Sequence, residues 1–416
     1  MYWQARSIDG PSSSPVAHAP IFVFFWPALV GAGALLAGHC EAQAVFSDSF
    51  ESSCLLDTDG DRLIDCDETF VYRTSDTMRD TDQDGLEDGD EVLGTLGGLA
   101  LPALGVNPRR KDILVEYDWL VDAAECAART PPVESLASLA SMFGQAPVTN
   151  PDGSTGITLI QDYGQGGVFT GGNSIGGVPN GTIVGTTGDS SFQSLKLANF
   201  ASARRGYFHY SILSHRYGND TNSSSGFAEI RGDDMIVSLG CLLGPPDYDR
   251  WIGNTIAHEI GHNFGLLHGG GTGCNYRPNY NSVMNYRYQF SGTDDDCNGL
   301  GETNGPTATF ADYSEGVRES LDEANLDERR GVCAHLGPPF TAIDWDGDSV
   351  IEPSVVADIN PAAVFQESNC GGTGNIAVLH DFNDWGALSL RVLPPPGGGE
   401  VPPLTASCQS PPSGIR

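Results

Sequence analysis

Three histidines and one glutamate stand at spacings that would let them act together on one metal ion. The stretch from His258 to His268 reads His-Glu-Ile-Gly-His-Asn-Phe-Gly-Leu-Leu-His. In an α-helix each residue advances about 100°, so His258 and His262 project from nearly the same face. On a continued helix His268 would lie on roughly the opposite side, so the helix must end before it. Gly265 can accept the positive φ of the turn that brings the third histidine back.

Three imidazoles with one open position are typical of catalytic zinc, whereas structural zinc is usually enclosed by four ligands, mostly cysteines. Zinc would acidify a bound water, and Glu259 could take its proton without binding the metal. The alternative is a buried amphipathic helix whose histidines only satisfy hydrogen bonds. Five specified residues at fixed offsets favour the metal site. We therefore expect zinc to be bound by His258, His262 and His268, with Glu259 as general base and acid.

The helix that carries the first two histidines is predicted to begin at Asp247 or Asp249, just after two prolines. Its core side is predicted to be lined by Trp251, Ile252, Ile256, Ile260 and Phe264. Glycines inside this helix, at Gly253 and Gly261, are consistent with close packing of backbone against it.

A second stretch, Ser282-Val-Met284-Asn-Tyr286, follows after a loop. With this turn the zinc stretch resembles the metzincin metalloproteases. The long zinc motif and the Met-turn of that family match at His258, Glu259, His262, Gly265, His268 and Met284. Gly269, after the third histidine, is not the residue that marks reprolysins, astacins, serralysins or matrixins. The zinc stretch is closest to reprolysins and the Met-turn to serralysins and astacins, so the subfamily stays open.

The resemblance implies an α/β (α+β) catalytic domain with a twisted, mostly parallel sheet of about five strands, an active-site helix and an antiparallel edge strand. It also implies that Met284 packs beneath the histidines, and that Tyr286 binds zinc or stabilises the transition state. From the residues themselves, strands are predicted at 112–119, 157–161, 207–216 and 234–239. A helix is predicted at 314–330.

The segment expected at the edge strand is Gly226-Phe227-Ala228-Glu229-Ile230. An exposed edge offers unpaired N–H and C=O groups to an extended peptide, so this strand is predicted to bind substrate. The alternative is an interior strand of the sheet.

Two acidic stretches carry alternate oxygens in twelve-residue loops, here called loop 1 (57–68) and loop 2 (80–91). Calcium takes six to eight oxygen ligands, which this spacing can supply. The predicted ligands in loop 1 are Asp57, Asp59, Asp61, Asp65 and Glu68. Those in loop 2 are Asp80, Asp82, Asp84, the carbonyl of Leu86, Asp88 and Glu91. The loops resemble thrombospondin type 3 and dockerin-like calcium repeats; the alternative is a solvated acidic linker. A third, weaker candidate lies at 344–352.

The remaining sequence places the chain in an export pathway. Residues 1–44 are predicted to be a signal peptide, with an apolar core at 21–36 and a small-x-small site before residue 45. Ten cysteines, nine of them after cleavage, are consistent with an oxidising compartment. The net charge of −33 argues against nucleic acid and anionic membranes as partners. We expect a calcium-binding segment at 45–108, a protease domain at 109–393 and a disordered Pro/Gly-rich tail at 394–416.

Together these features predict a secreted, monomeric zinc endopeptidase that acts on proteins or peptides. The alternatives are a zinc hydrolase of other substrates and a calcium-dependent adhesion or binding protein on a protease fold. The presence of Glu259 weighs against the second alternative, because a protein that only binds needs no proton-transfer group.

Overall fold

A mixed sheet with helices on both sides organises the chain in this computed structural model. The structure describes residues 55–121, 130–219, 224–239, 248–302, 312–360, 374–392 and 404–407. Within these ranges the helices are α1 (Asp65–Asp67), α2 (Asp88–Leu93), α3 (Leu101–Leu104), α4 (Val133–Gly144), α5 (Ser190–Asn199) and α6 (Tyr248–Asn263). A π-helical turn lies at Glu68–Tyr72, and 3₁₀ turns lie at Pro179–Gly181, Ser202–Arg204, Ala334–Leu336 and Trp385–Ala387.

The strands are β1 (Asp112–Leu120), β2 (Thr158–Asp162), β3 (Ser174–Ile175), β4 (Thr182–Val184), β5 (Phe208–Leu213), β6 (Arg216–Gly218), β7 (Gly226–Ile230), β8 (Asp234–Val237), β9 (Leu321–Asp322), β10 (Val378–Leu379) and β11 (Leu404–Ser407). The central sheet has the order β11-β7-β8-β5-β1-β2, with β3 also paired to β1. The neighbours from β8 to β2 run parallel, whereas β7 is antiparallel to both β8 and β11. The fold is therefore mixed α/β with a mostly parallel central sheet, as the sequence predicted.

Strand β1 separates two apolar cores because its side chains alternate between the faces of the sheet. Ile113, Val115 and Tyr117 pack into the core that contains α4 and α6. Leu114 and Leu120 pack into the core on the other face, together with β5. All five side chains predicted to line the helix of the zinc motif lie in the first core. This packing fixes α6 against the sheet.

The predicted helix at 314–330 is wrong. In its place the structure has turns and the short strand β9, which pairs with β10. The charged side chains serve loops instead of helical pairs: the buried Glu323 accepts hydrogen bonds from the N–H groups of Ile359 and Ala377. Gly316, with φ +70°, also interrupts any helical course.

The expectation of a disordered tail also fails for the part of 394–416 that the structure describes. Residues Leu404–Ser407 form β11, which pairs along β7. Among the described residues, no helix combines the length and the apolar character that a membrane span requires. The predicted signal peptide lies outside the described residues.

Candidate metal centre

Helix α6 and the turn after it bring the three predicted zinc ligands together. One ring nitrogen of each of His258, His262 and His268 lies within 4.8 Å of the others, and the Nε2 atoms of the first two are 3.2 Å apart. His258 and His262 are fully buried. The spacing of four residues therefore places His258 and His262 on nearly the same face of the helix, as predicted from the sequence.

Gly265 ends the helix in time for His268 to converge. Its φ is +97°, its N–H donates to the carbonyl of His262 at 2.8 Å, and the N–H of Leu266 donates to the carbonyl of Gly261 at 2.9 Å. These two bonds form a Schellman motif, which a glycine in the left-handed region favours. The chain then reverses and returns the third histidine to the site.

Hydrogen bonds to the backbone orient the two helical histidines. Nδ1 of His258 lies 2.8 Å from the carbonyl of Val283, and Nδ1 of His262 lies 2.7 Å from that of Leu266. A carbonyl only accepts, so each Nδ1 donates and each Nε2 keeps its lone pair for a metal. Nε2 of His268 is buried with no hydrogen-bond partner among the described residues.

The histidines are also in the protonation state that a metal requires. Burial lowers the pKa of His262 to about 4. Burial, and secondarily the neighbouring histidines, lowers the pKa of His258 and His268 well below 6.5. All three imidazoles are therefore neutral at pH 7, and the convergent nitrogen lone pairs fit zinc or a similar borderline metal.

Glu259 lies against the beginning of β7. Its side chain is fully buried, and a Cβ added to Gly226 would lie 2.7 Å from its Cδ and closer still to Oε1. Only a residue without a side chain leaves room for the carboxylate here. The sequence analysis placed Gly226 in the substrate strand but did not foresee this contact.

The end of β7 and the loop that follows it are hydrogen-bonded to the end of α6. The N–H of Arg231 donates to the carbonyl of His262 at 3.0 Å, and Nδ2 of Asn263 donates to the carbonyl of Glu229 at 2.9 Å. The antiparallel strand and the metal-binding helix therefore form one unit.

Met284 contacts α6, and Tyr286 lies beside two of the histidines. Met284 is fully buried, and a Cβ added to Gly261 would overlap its Sδ, so its thioether packs directly on α6. The ring of Tyr286 lies 4.3 Å from that of His268 and 5.8 Å from that of His258, measured between centroids. A phenol beside the histidines can approach a metal or a reacting carbonyl.

Loops 1 and 2 share one backbone geometry. In loop 1 the carboxylate of Asp57 accepts hydrogen bonds from the N–H groups of Gly60 and Arg62, at 2.7 and 3.1 Å. In loop 2 Asp80 accepts the two equivalent bonds at 2.7 and 2.9 Å. The sixth residues, Arg62 and Gly85, have φ of 87° and 101°. The arginine at position 6, where the calcium pattern expects glycine, therefore still adopts the required turn.

The predicted calcium ligands divide into several carboxylate groups. Groups with one oxygen from each residue within 4.8 Å are Asp57/Asp59/Asp61, Asp61/Glu68/Asp88, Asp80/Asp82/Asp84 and Asp84/Glu91/Asp112. Asp65 instead accepts hydrogen bonds from the N–H and the hydroxyl of Thr58. The side chain of Leu86 is buried in the second apolar core.

Two departures from the sequence prediction follow from these groups. Asp88 of loop 2 faces the ligands of loop 1, and Asp112, which the sequence analysis assigned only to a strand, faces those of loop 2. Burial, with repulsion from the neighbouring aspartates, raises the pKa of Glu68 to about 8.

Among the described cysteines, Cys297 and Cys333 are bonded to each other. Cys66 and Cys274 each take part in another disulfide. The pairing Cys297–Cys333 closes 36 residues around the predicted helix that does not form.

Comparisons with known proteins add little to this geometry. No protein-family model matches the chain, and no curated protein matches it. Among solved structures, the chain is similar to the archaemetzincin (amzA) of Methanopyrus kandleri, with 16% sequence identity and a TM-score of 0.26. The alignment covers 42% of this chain and 81% of that one. A likeness at this TM-score carries no argument about activity or ligands.

Proposed function

We propose that this chain is a zinc-dependent endopeptidase. The observation that carries the proposal is the convergence of three neutral histidines, two of them fully buried, beside a buried glutamate at the start of an antiparallel strand. A site that only bound metal for stability would not need a proton-transfer group packed between the ligands and a strand.

The roles of the residues follow from their positions. His258, His262 and His268 would hold zinc, which when bound supplies a Lewis acid for the scissile carbonyl and acidifies water. Glu259 takes the proton of the attacking water at its carboxylate and returns it to the leaving amine. Tyr286, beside His268, donates a hydrogen bond to the oxyanion.

Strand β7 is proposed to align the substrate. Gly226 touches Glu259, so a peptide paired with β7 would run past the proton-transfer group. The far edge of β7, however, is not open as predicted: β11 pairs with it antiparallel, with Ser407 opposite Phe227 and Leu404 opposite Ile230. Covering an edge strand removes its unpaired N–H and C=O groups. A long substrate must therefore displace β11 before it can pair with β7.

The calcium loops, export and action on extracellular proteins or peptides belong to the same proposal. Export is supported by the apolar N-terminal stretch and the disulfide-bonded cysteines. Calcium is supported by the shared geometry of loops 1 and 2 and by the carboxylate groups they form.

The proposal is tested by digestion of a peptide library with the purified chain, after its zinc content has been measured. We expect internal cleavage that stops when a zinc chelator is added and returns with added zinc. Zinc-loaded, folded protein that cleaves no peptide would contradict the proposal.

A further inference from the structure

Asp112 is the first residue of β1, yet its side chain belongs to the carboxylate group of loop 2. Oxygens of Asp84, Glu91 and Asp112 lie within 4.8 Å of one another, and each residue is only 2% exposed. Asp112 lies in a strand and was not among the ligands that the repeat pattern predicts. The group therefore joins loop 2 to the central sheet.

The oxygens at the centre of this group have no hydrogen-bond donors. Both carboxylate oxygens of Glu91 and Oδ1 of Asp112 are buried and accept no hydrogen bond from the described residues. A buried charge without partners costs several kcal/mol or more. The carboxylates that carry these oxygens lie close enough to one another to bind one cation.

The nearby basic side chains do not balance the charge. Nζ of Lys111 contacts the backbone carbonyl of Asp82, and the charge of Arg110 acts on Asp112. The surrounding carboxylates are those of Asp80, Asp82, Asp84, Glu91 and Asp112. Five carboxylates against these two cations leave a net negative charge that a divalent cation can balance, and an all-oxygen set in a twelve-residue loop favours calcium over softer metals.

Loop 1 shows the same arrangement with a different partner. There Asp88 faces Asp61 and Glu68, and Oδ2 of Asp61 accepts the N–H of Gly89 at 2.9 Å. In loop 2 the fifth-position carboxylate, Asp84, accepts the N–H of Asp112 at 2.7 Å. Loop 2 therefore closes loop 1, and the start of β1 closes loop 2 in the way that a further repeat would.

The orientation of Asp112 is fixed independently of any ion. Its Oδ2 accepts the N–H of Asn107 at 2.7 Å, whereas its Oδ1 accepts no hydrogen bond from the described residues. We propose that a calcium ion in loop 2 is completed by Asp112, so that the ion ties the acidic segment directly to the central sheet. Calcium then stabilises the first residues of β1, a strand that pairs with β2 and β5, as well as the loop itself.

The proposal is tested by measuring calcium binding to the full chain. The measurement is a calorimetric titration of the calcium-depleted, zinc-loaded protein with calcium. Asp112→Asn is expected to weaken one calcium site by about tenfold or more, since affinity follows the charge of the ligands. Asp118→Asn is the matched control: Asp118 is a fully buried aspartate of the same strand, and its carboxylate accepts hydrogen bonds from the hydroxyl of Tyr210 and from the backbone and side-chain N–H groups of Asn173. It should leave every calcium affinity unchanged. Equal affinities in the two variants would overturn the proposal.

A second measurement uses the unaltered protein and does not depend on how the variants fold. Calcium should slow amide hydrogen exchange in the first residues of β1 as well as in 80–91. Slowing confined to the loops would show that the ion does not reach the sheet. Both readouts are independent of peptide hydrolysis, so this inference and the proposed activity can fail separately.

Discussion

Replacing Gly226 by alanine should disable the site while leaving the fold and the metal ligands in place. The added Cβ would lie 2.7 Å from Cδ of Glu259 and 2.8 Å from the carbonyl oxygen of Ile236. Carbon atoms in contact stay about 3.5 to 4.0 Å apart, so the carboxylate must move by roughly 1 Å. The carboxylate is the flexible end of its side chain and will yield before the backbone of the sheet.

The expected effect on activity is large because proton transfer depends on position. A displacement of about 1 Å in a reacting group can reduce the rate about 100-fold, which corresponds to about 2.7 kcal/mol of transition-state stabilisation. The expected loss of folding stability is smaller, about 1 to 2 kcal/mol, from the contact with Ile236. The histidines are untouched, so zinc content should stay at the wild-type level.

The assay is kcat/KM on a long peptide, with zinc content and urea unfolding measured on the same preparations. Gly144→Ala is the control, because a Cβ at Gly144 meets no atom within 4 Å. It should leave kcat/KM unchanged. Wild-type kcat/KM in a zinc-loaded, folded Gly226→Ala protein would refute the placement of Glu259 against β7.

Three further predictions use other parts of the structure. Deleting residues 404–416 should raise kcat/KM about tenfold for peptides long enough to pair with β7, and not for very short ones, because β11 no longer competes; unchanged long-peptide kinetics would contradict this. Burial lowers the pKa of His209 to about 4. As the pH decreases from 6.5 to 4, the unfolded chain therefore binds a proton at His209 that the folded chain does not bind, and the free energy of unfolding decreases. His209→Gln should remove about 2 to 3 kcal/mol of the wild-type loss between pH 7 and 4.5, measured by urea unfolding, and equal losses would count against it. Calcium removal should expose 57–91 to limited proteolysis before zinc is lost. Equal protection with and without calcium would show that the loops keep their structure without the ion.

The convergence of the three histidines could be predicted from the sequence because its determinants are local. The spacing of His258 and His262, the glycine at 265 and the apolar stripe of α6 each act within one or two helical turns. The strand β1 was likewise foreseeable from its β-branched and aromatic run, whereas the mostly parallel sheet was implied only by the family resemblance.

The contacts that the sequence did not reveal join residues that are far apart in the chain. Nothing near Asp112 distinguishes it from an ordinary first residue of a strand, because its partners Asp84 and Glu91 lie 28 and 21 residues earlier in the chain. The composition of 394–416 predicts disorder, but four residues suffice to cover the edge of β7 once that edge exists. The acid- and base-rich composition of 314–330 favoured a helix, whereas Glu323 is buried and its carboxylate accepts hydrogen bonds from the backbone of two other segments.

The most direct test of the central claim is a comparison of the wild-type chain with Glu259→Gln, each carrying one zinc per chain by mass spectrometry. Glutamine has nearly the same shape but cannot take a proton, so we expect bound zinc in both proteins and peptide cleavage slower by about 100-fold or more in the variant. Equal zinc content with turnover near the wild-type value would show that Glu259 is not the general base.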